Sequence, residues 1–538
     1  MLAALDWPDP SVVADRYVSG ASLVFTAPFD QLLTATEVNE WAWQGVALEA
    51  ETLPLPQAPG HPATWDFDSA LQTLRRFAAA ESRRDAMTLL AIAAQHGLPA
   101  FLDDETLSIG AGQGSQSWPI DALPGNLAEV DWTGLHDIPT VLVTGSNGKT
   151  TTVRLLAAMF AAAGYRPGFN CTDGVFIDGE QIESGDYSGP AGARQVLRDP
   201  RVQAAVLETA RGGILRRGIA VHHANAAIVT NISEDHFGEY GVHDLSDLAD
   251  AKLVLARAIG SDGVLVLNAD DALLVAKSAA LSCPLAWFSL DDAQPLLRTH
   301  RSCGGATCGL AEGALWLHVH GQRYCLGEVS GMPLTMDGSA RYNIANIAGA
   351  ALLAASVGLE VTIIARVLAE FGSGRRDNPG RLEHWSIAGA QIFLDYAHNP
   401  EGLRGLLEVA GRVREKSAGR LALMLGQAGN RDDLAITELA GIAAAAKPDL
   451  VVMKDLEGYL RGRAAGEVPA RLNSELRRLG IPEAALQTIL SEVDAAKAIL
   501  AWSRPGDVLV LPVHNLAARA ALVAWLDACE LAASSQAR

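Results

Sequence analysis

At 538 residues, the chain is long enough for three or four domains of roughly 150 residues each. Hydrophobic residues make up 49% and charged residues 19%, too apolar a balance for a disordered chain. Forty-two Lys and Arg against 62 Asp and Glu leave a net charge of −20, which argues against nucleic acid or an anionic membrane as partner.

Residues 1–137 show weak periodicity, many Pro and Trp, and one helical stretch from Ser69 to Gly97. The start, MLAALDWPDPSVVADRY, lacks a basic region and breaks its apolar run at Asp6 and Pro8, so it does not read as a secretory signal. GAGQG at 110–114 has Ser115 in place of a third Gly and Pro119 where a helix would run, so it reads as a turn between strands.

From Ile138 the pattern becomes short β-branched runs alternating with helical segments. Strands are expected at Thr140–Thr144, Ala204–Glu208, Ala226–Asn231 and Gly263–Leu267. A second series follows at Gln391–Ala397, Leu421–Leu425, Leu450–Met453 and Val508–Leu511. Such alternation predicts parallel sheets covered by helices, and GSGRRDNPGR at 372–381 has the character of an interdomain linker. The apolar stretch 344–365 contains Asn346, Ser356, Glu360 and Thr362, and so fits buried helices better than a membrane span. Six cysteines without a C-x-x-C pair favour a reducing compartment, and the cytoplasm is expected. Cys303, Cys308 and Cys325 would make a zinc site only with a fourth ligand, and no matching His spacing supplies one.

The richest segment is VLVTGSNGKTTTVRLLAAMF at 141–160, a strand, a glycine loop and a helix in succession. Gly145 and Gly148 let the backbone wrap an anion, Asn147 lies between them, and Lys149 adds a charge. Thr150 offers a hydroxyl to magnesium and Thr151 continues the helix start. The form is G-x-x-G-K-T-T rather than the longer phosphate-loop motif. An ordinary strand-to-helix turn with a solvated lysine is the competing reading.

TGSNGKTTT resembles the ATP loop of the Mur ligase family. TDGVFIDG (172–179), ESGDYSGP (183–190) and VLETARGGILRRG (206–218) resemble one branch of it closely, the Mur-ligase half of cyanophycin synthetases. The likeness runs from about residue 138 to about residue 530. It implies an α/β chain with a central P-loop ATPase domain (138–375) and a C-terminal Rossmann-like domain (376–538), preceded by a small α+β N-terminal domain (1–137). The implied reaction phosphorylates a carboxylate with ATP and lets an amine displace the phosphate, with two magnesium sites.

Further site residues follow from that resemblance. Glu208, ending a strand, and His236 in VTNISEDHFG are implied metal ligands with Thr150. Lys252 matches the lysine that many Mur ligases carry as a carbamate, and a solvated helix lysine is its bland alternative. Asn268 and Asp270 of LNADD, with Asn343 and Asn346 of ARYNIANIAGA, resemble the nucleotide environment; Asn343 and Asn346 would otherwise be helix caps. Arg381 and Asp395 would reach the nucleotide if the C-terminal domain folds over it. His398 and Asn399 would serve that seam or cap the following helix. Arg211, Gly212 and Gly213 would favour an anionic acceptor. Arg431, Arg461, Arg463 and Glu467 fall where the family contacts the incoming amine. There the acidic run is reduced to Asp455 and Glu457, which argues against arginine as that amine.

Cyanophycin synthetases carry an additional ATP-grasp ligase, for which residues 1–137 leave no room. The expectation is an ATP-dependent amide ligase acting on amino-acid or peptide substrates, with a homo-oligomer left open. Its rivals are a non-catalytic nucleotide-binding partner of another ligase and a motor or switch NTPase; the second of these gives FLDYAHNPEG at 393–402 no role.

Overall fold

The structure, a computed structural model, describes all residues except 1, 8–10, 18–19, 51–65, 235–236, 238–239, 430, 457 and 537–538. The chain forms two compact units, one built from residues up to Ile138 with two short later segments and one from most of the remainder.

In the first unit, β1 (Val12–Tyr17) and β2 (Gly20–Phe25) form an antiparallel hairpin. A separate antiparallel sheet comprises β3 (Ala100–Leu102), β4 (Thr106–Ile109) and β5 (Gln116–Pro119). The GAGQG stretch is the turn between β4 and β5, with Gly112–Gly114 in a short 3₁₀ helix. The single helix expected over 69–97 is two, Phe67–Glu81 and Arg84–Gln95. Periodicity does not see the break, because its cause lies far away: Asp30 accepts from the Ser82 hydroxyl (3.1 Å) and the Arg83 amide (2.7 Å). Leu89, Leu107 and Ile109 centre one small core, and Trp41 and Leu74 another.

The second unit opens on an 11-stranded sheet. Its strands are β6 (Thr140–Thr144), β7 (Pro167–Cys171), β8 (Gly174–Ile177), β9 (Glu180–Ser184), β10 (Ala204–Glu208), β11 (Ala224–Val229), β12 (Ile259–Asn268), β13 (Leu285–Ser289), β14 (Thr307–Ala311), β15 (Ala314–Val319) and β16 (Gln322–Glu328). Their order is β16-β15-β14-β13-β12-β11-β6-β10-β7-β8-β9. The strands from β14 to β7 in that order run parallel, and antiparallel hairpins extend both edges. β6 and β10 are buried at every residue, as strands covered on both faces require. The stretch 344–365 is divided between the buried helix Arg341–Ser356 and the helix Val361–Glu370. No helix of the described residues is long and apolar enough to cross a membrane. Cys308 is buried in β14, whereas Cys303 and Cys325 are exposed.

The C-terminal sheet contains β17 (Glu383–Ile387), β18 (Ala390–Asp395), β19 (Leu421–Leu425), β20 (Leu450–Met453), β21 (Leu486–Thr488) and β22 (Val508–Pro512), ordered β17-β18-β22-β19-β20-β21. All neighbours are parallel except β17 and β18. Separate cores centred on Phe393 and Leu423 and on Trp385 and Leu511 show that both faces are covered. The expected linker is anchored: Arg375 donates to Asp527 (2.6 Å) and Glu530, and its guanidinium lies 4.6 Å from the Trp385 ring centroid.

Beneath the loop after β18 lies a fully buried charge cluster. Lys454 pairs with Glu492 and sits 3.0 Å from His514 Nδ1. The amides of His514 and Asn515 donate to Glu492, and His514 Nε2 lies 2.9 Å from the Ala397 carbonyl. Burial alone would raise the pKa of Glu492, but hydrogen bonds and charge from His514 and Lys454 outweigh it and bring it to about 2. A carboxylate lowered in the folded state stabilises the fold above its unfolded value near 4.5, and that contribution is lost as pH falls toward 2. Glu492→Gln should cost roughly 3 kcal/mol near neutral pH by stranding Lys454. The gap from wild type should narrow as pH drops through this window, as read by denaturant unfolding. A pH-independent difference would show that the carboxylate charge is not what stabilises the cluster.

Candidate active site

β6 ends at the centre of its sheet with β10 and β11 on either side, so the loop 145–148, Glu208 and Thr230 gather at one carboxyl edge, where open α/β sheets place ligands. Gly145 (φ 148°) and Gly148 (φ 83°) adopt conformations closed to other residues. A Cβ at Gly145 would lie 1.8 Å from Thr230 Oγ1, and one at Gly148 2.1 Å from Asn346 Oδ1. Asn147 is fixed from the β11 side: its amide donates to Asn231 Oδ1 (2.9 Å), and its carbonyl accepts from Thr230 Oγ1 (2.6 Å) and Asn231 Nδ2 (3.1 Å). The helix Lys149–Ala162 has Gly148 as its N-cap and no side-chain cap, so its first amides are directed at the loop's concavity, a ready anion site. Lys149 Nζ folds back onto the carbonyls of Gly145 (3.1 Å) and Ser146 (3.0 Å). Gly148→Ala should lower the melting temperature by several degrees and weaken ADP binding, because strain and the Asn346 contact both oppose a methyl group. Unchanged melting and affinity would show that the loop tolerates the side chain.

Below the loop, Thr150 Oγ1 donates to Glu208 Oε2 (2.8 Å) and Thr172 Oγ1 to Oε1 (3.3 Å). Glu208 is wholly buried, and burial raises its pKa against the opposing pull of Lys149, Thr150 and Arg381. A buried carboxylate so burdened, beside a hydroxyl and a helix N-terminus, fits a divalent cation, which would remove the cost of its charge. Lys252 is not a solvated helix lysine: it is 1% exposed, and its Nζ donates to Gly145 O (2.9 Å). His236 lies outside the described residues.

Lys149, Thr150, Thr172 and Glu208 face a cavity of about 680 Å³ that is also lined by Asn343, Asn346, Arg381, Asp395 and His398. Asn343 and Asn346 are not caps. Asn343 Nδ2 donates to Leu334 O (2.9 Å) and its Oδ1 accepts from Asn346 Nδ2 (3.2 Å), while the helix N-cap is Ala340. Asn268 and Asp270 also line the cavity and are held there by bonds within the protein. Asn268 donates to Thr230 O (3.1 Å) and accepts from the Asp270 amide (2.9 Å); Asp270 accepts from Ser289 Oγ (2.6 Å) and the Leu290 amide (2.7 Å).

The C-terminal domain closes the cavity from the other side. Asp395 accepts from the Leu382 amide (2.6 Å), and the Arg381 guanidinium lies 4.4 Å from the Tyr396 ring centroid. Burial works against the charge of Arg381, yet Asp173 and Asp395 more than restore it. Asn399 takes both roles considered for it. Its Oδ1 caps the helix Pro400–Ser417 through the Gly402 amide (2.8 Å), and its Nδ2 donates to Asn147 Oδ1 (2.9 Å). Asn378, which no motif singles out, donates to Thr151 Oγ1 (3.2 Å) across the same seam.

On the acceptor side, Arg211 is buried at the start of the helix Arg211–Arg217, three residues after Glu208. Gly213 packs closely against the preceding turn, since a Cβ there would lie 3.1 Å from Gly189 Cα and from Pro190 Cδ. Gly212 accepts from Arg216 Nε (2.9 Å) through its carbonyl. Arg463 is committed within the protein: it donates to Gly429 O (3.0 Å), Arg431 O (2.9 Å), Asp433 (2.9 Å) and Glu467 (2.8 Å). Arg463 and Glu467 thus form an internal pair that shapes the loop carrying Arg431. Arg461 is exposed, 5.4 Å from the Tyr459 ring centroid.

Residues 143–354 match the family model of the Mur ligase middle domain, and residues 380–512 that of the Mur ligase glutamate ligase domain. The chain belongs to the Mur ligase family. This family member is 34% identical to the cyanophycin synthetase of Synechocystis sp. over 376 residues, covering 70% of this chain and 42% of that protein. It is 28% identical to the UDP-N-acetylmuramoyl-L-alanyl-D-glutamate--2,6-diaminopimelate ligase of Corynebacterium efficiens, covering 70% and 69%. The chain therefore spans under half the length of the cyanophycin synthetases it matches. Among solved structures, E. coli FolC in complex with DHPP and ADP shares the fold at a TM-score of 0.54, with 21% identity over 72% of this chain and 89% of that one.

Proposed function

We propose that this Mur ligase family member is an ATP-dependent ligase that activates a carboxylate by phosphoryl transfer and joins it to an amine. The observation that supports this most strongly is the cavity itself, where the uncapped helix start, Lys149 and the Thr150–Glu208 pair from one domain meet Arg381, Asp395 and His398 from the next.

In this reading, the loop amides and Lys149 hold the phosphates, and Thr150 and Glu208 would hold magnesium, with His236 proposed as a further ligand. Bound there, the metal would neutralise charge on the transferring phosphoryl group. Lys252 bonds the Gly145 carbonyl and so braces the loop, and a carbamate on it is proposed as a second metal-side group. Arg381 and Asp395 reach the nucleotide from the C-terminal domain, which excludes water from an intermediate that would otherwise hydrolyse. Arg211 is proposed to hold the acceptor carboxylate, with Arg431 and Arg461 toward the amine.

The test is incubation with ATP, magnesium and pooled amino acids or dipeptides, with condensed products sought by mass spectrometry. Phosphate release that requires both a carboxylate and an amine is expected. Phosphate release indifferent to both would overturn the ligase reading.

A further inference from the structure

Asp173 follows Thr172 in the turn between β7 and β8, does not line the cavity, and is 6% exposed. Its two carboxylate oxygens accept from arginines of different domains. Oδ2 takes Arg154 NH2 (3.1 Å) from the helix Lys149–Ala162, and Oδ1 takes Arg519 NH2 (2.7 Å) from the C-terminal helix Leu516–Gln536. Arg154 is held in place by aromatic rings, its guanidinium lying 4.8 Å from the Phe176 centroid and 5.6 Å from that of Phe169. Arg519 in turn braces the turn that presents Arg381: at Gly380 (φ 70°), a Cβ would lie 2.3 Å from Arg519 NH1. Burial would raise the pKa of Asp173, but the charges of Arg381, Arg519 and Arg154 hold it below the usual carboxylate range.

We propose that Asp173 and Arg519 are positioning residues: their ion pair draws the C-terminal domain onto the central one and sets Arg381 at the cavity and Asn399 against Asn147 of the loop. Neither residue touches the cavity, so their effect on it is transmitted through domain placement. The pair is shielded from water, so removing one partner leaves the other's charge buried and costs more than at the surface. Asp173 also carries the pull to the phosphate loop's own helix through Arg154. The assignment rests on reading the cavity as the nucleotide site.

The experiment uses the full chain and the variants Arg519→Met, Arg519→Lys, Asp173→Asn and the double variant, with small-angle scattering of the nucleotide-free protein and calorimetric titration of ADP with magnesium. Arg519→Met should expand the scattering envelope and weaken ADP binding about 10-fold or more, the loss of one charge-assisted contact. Arg519→Lys should recover part of both effects, and the double variant should be no worse than the worse single one, because both remove one interaction. Asp173→Asn also disturbs Arg154; should it fail to fold, Arg519→Met carries the test, since it leaves the Asp173–Arg154 pair in place. An Arg519→Met protein that scatters and binds ADP like wild type would overturn the proposal, as would strictly additive losses. Titration of Lys149→Ala separates the two ideas. If that variant binds ADP normally, the nucleotide reading fails, and the scattering comparison still decides the domain contact.

Discussion

Replacing Lys149 by alanine is expected to cut ATP-dependent product formation on the order of 10²–10³-fold, the scale on which loss of one preorganised charge-stabilising group is felt. The lysine sits where the first amides of its helix converge, and its ammonium bonds only loop carbonyls. Losing those two contacts should cost about 1 kcal/mol of stability, a shift of a few degrees at most for a domain of this size. The pattern to look for is therefore a folded, soluble variant without turnover. Normal product formation by that variant would remove the loop from the chemistry.

Glu208→Gln should be equally severe for turnover, by about 10²–10³-fold, and far milder for nucleotide affinity, by less than about 10-fold. The substitution keeps shape and an acceptor for Thr150 while removing the charge that a cation needs. Because burial already raises the pKa of Glu208, the neutral side chain should leave the metal-free protein as stable as wild type or more so. Thermal melts with and without magnesium check this: the ion should stabilise wild type in the presence of ADP and do much less for the variant. Magnesium stabilisation of equal size in both would place the ion elsewhere.

Much of the fold was legible because the parallel strands are buried on both faces and read as unbroken apolar runs. Thr140–Thr144, Ala204–Glu208, Leu421–Leu425 and Leu450–Met453 lie where the sequence pattern puts them. The edge strands β9 and β16 are polar and largely exposed, so no apolar run marks them in the sequence. The phosphate loop was legible because its glycines, lysine and threonines act through local backbone geometry. Asn378, Thr172 and the Asn147–Asn399 contact were not, since each depends on a partner brought close only by tertiary folding. Asn399 and Asn147 are 252 residues apart in sequence. For the same reason the internal bonds of Asn268, Asp270, Arg463 and Glu467 were not legible, although Asn268 and Asp270 do line the cavity: a polar residue beside a motif shows the neighbours in space that engage it only once the chain is folded. Asp271 shows how ordinary that engagement is, capping one helix while accepting from the Ile232 amide at 2.6 Å.

The anchoring of Arg375 has an optical consequence. Trp385 is fully buried, its indole N–H donates to Asp527 (2.8 Å), and the Arg375 guanidinium lies against its ring. Indole emission responds to nearby charge and to water, so this tryptophan is a built-in fluorophore for the seating of the interdomain segment. With the anchor point at 375, swivelling is confined to the few residues after the helix Val361–Glu370, where Asp377 gathers the amides of Gly372 and Gly374 (both 2.9 Å). A chain whose C-terminal domain swings as a rigid body should keep its Trp385 emission constant throughout the cycle. A red shift on adding nucleotide that is lost in a Trp385→Phe variant, the chain having 11 tryptophans, would instead mean that the segment peels from its own domain, and no label would have to be attached to see it.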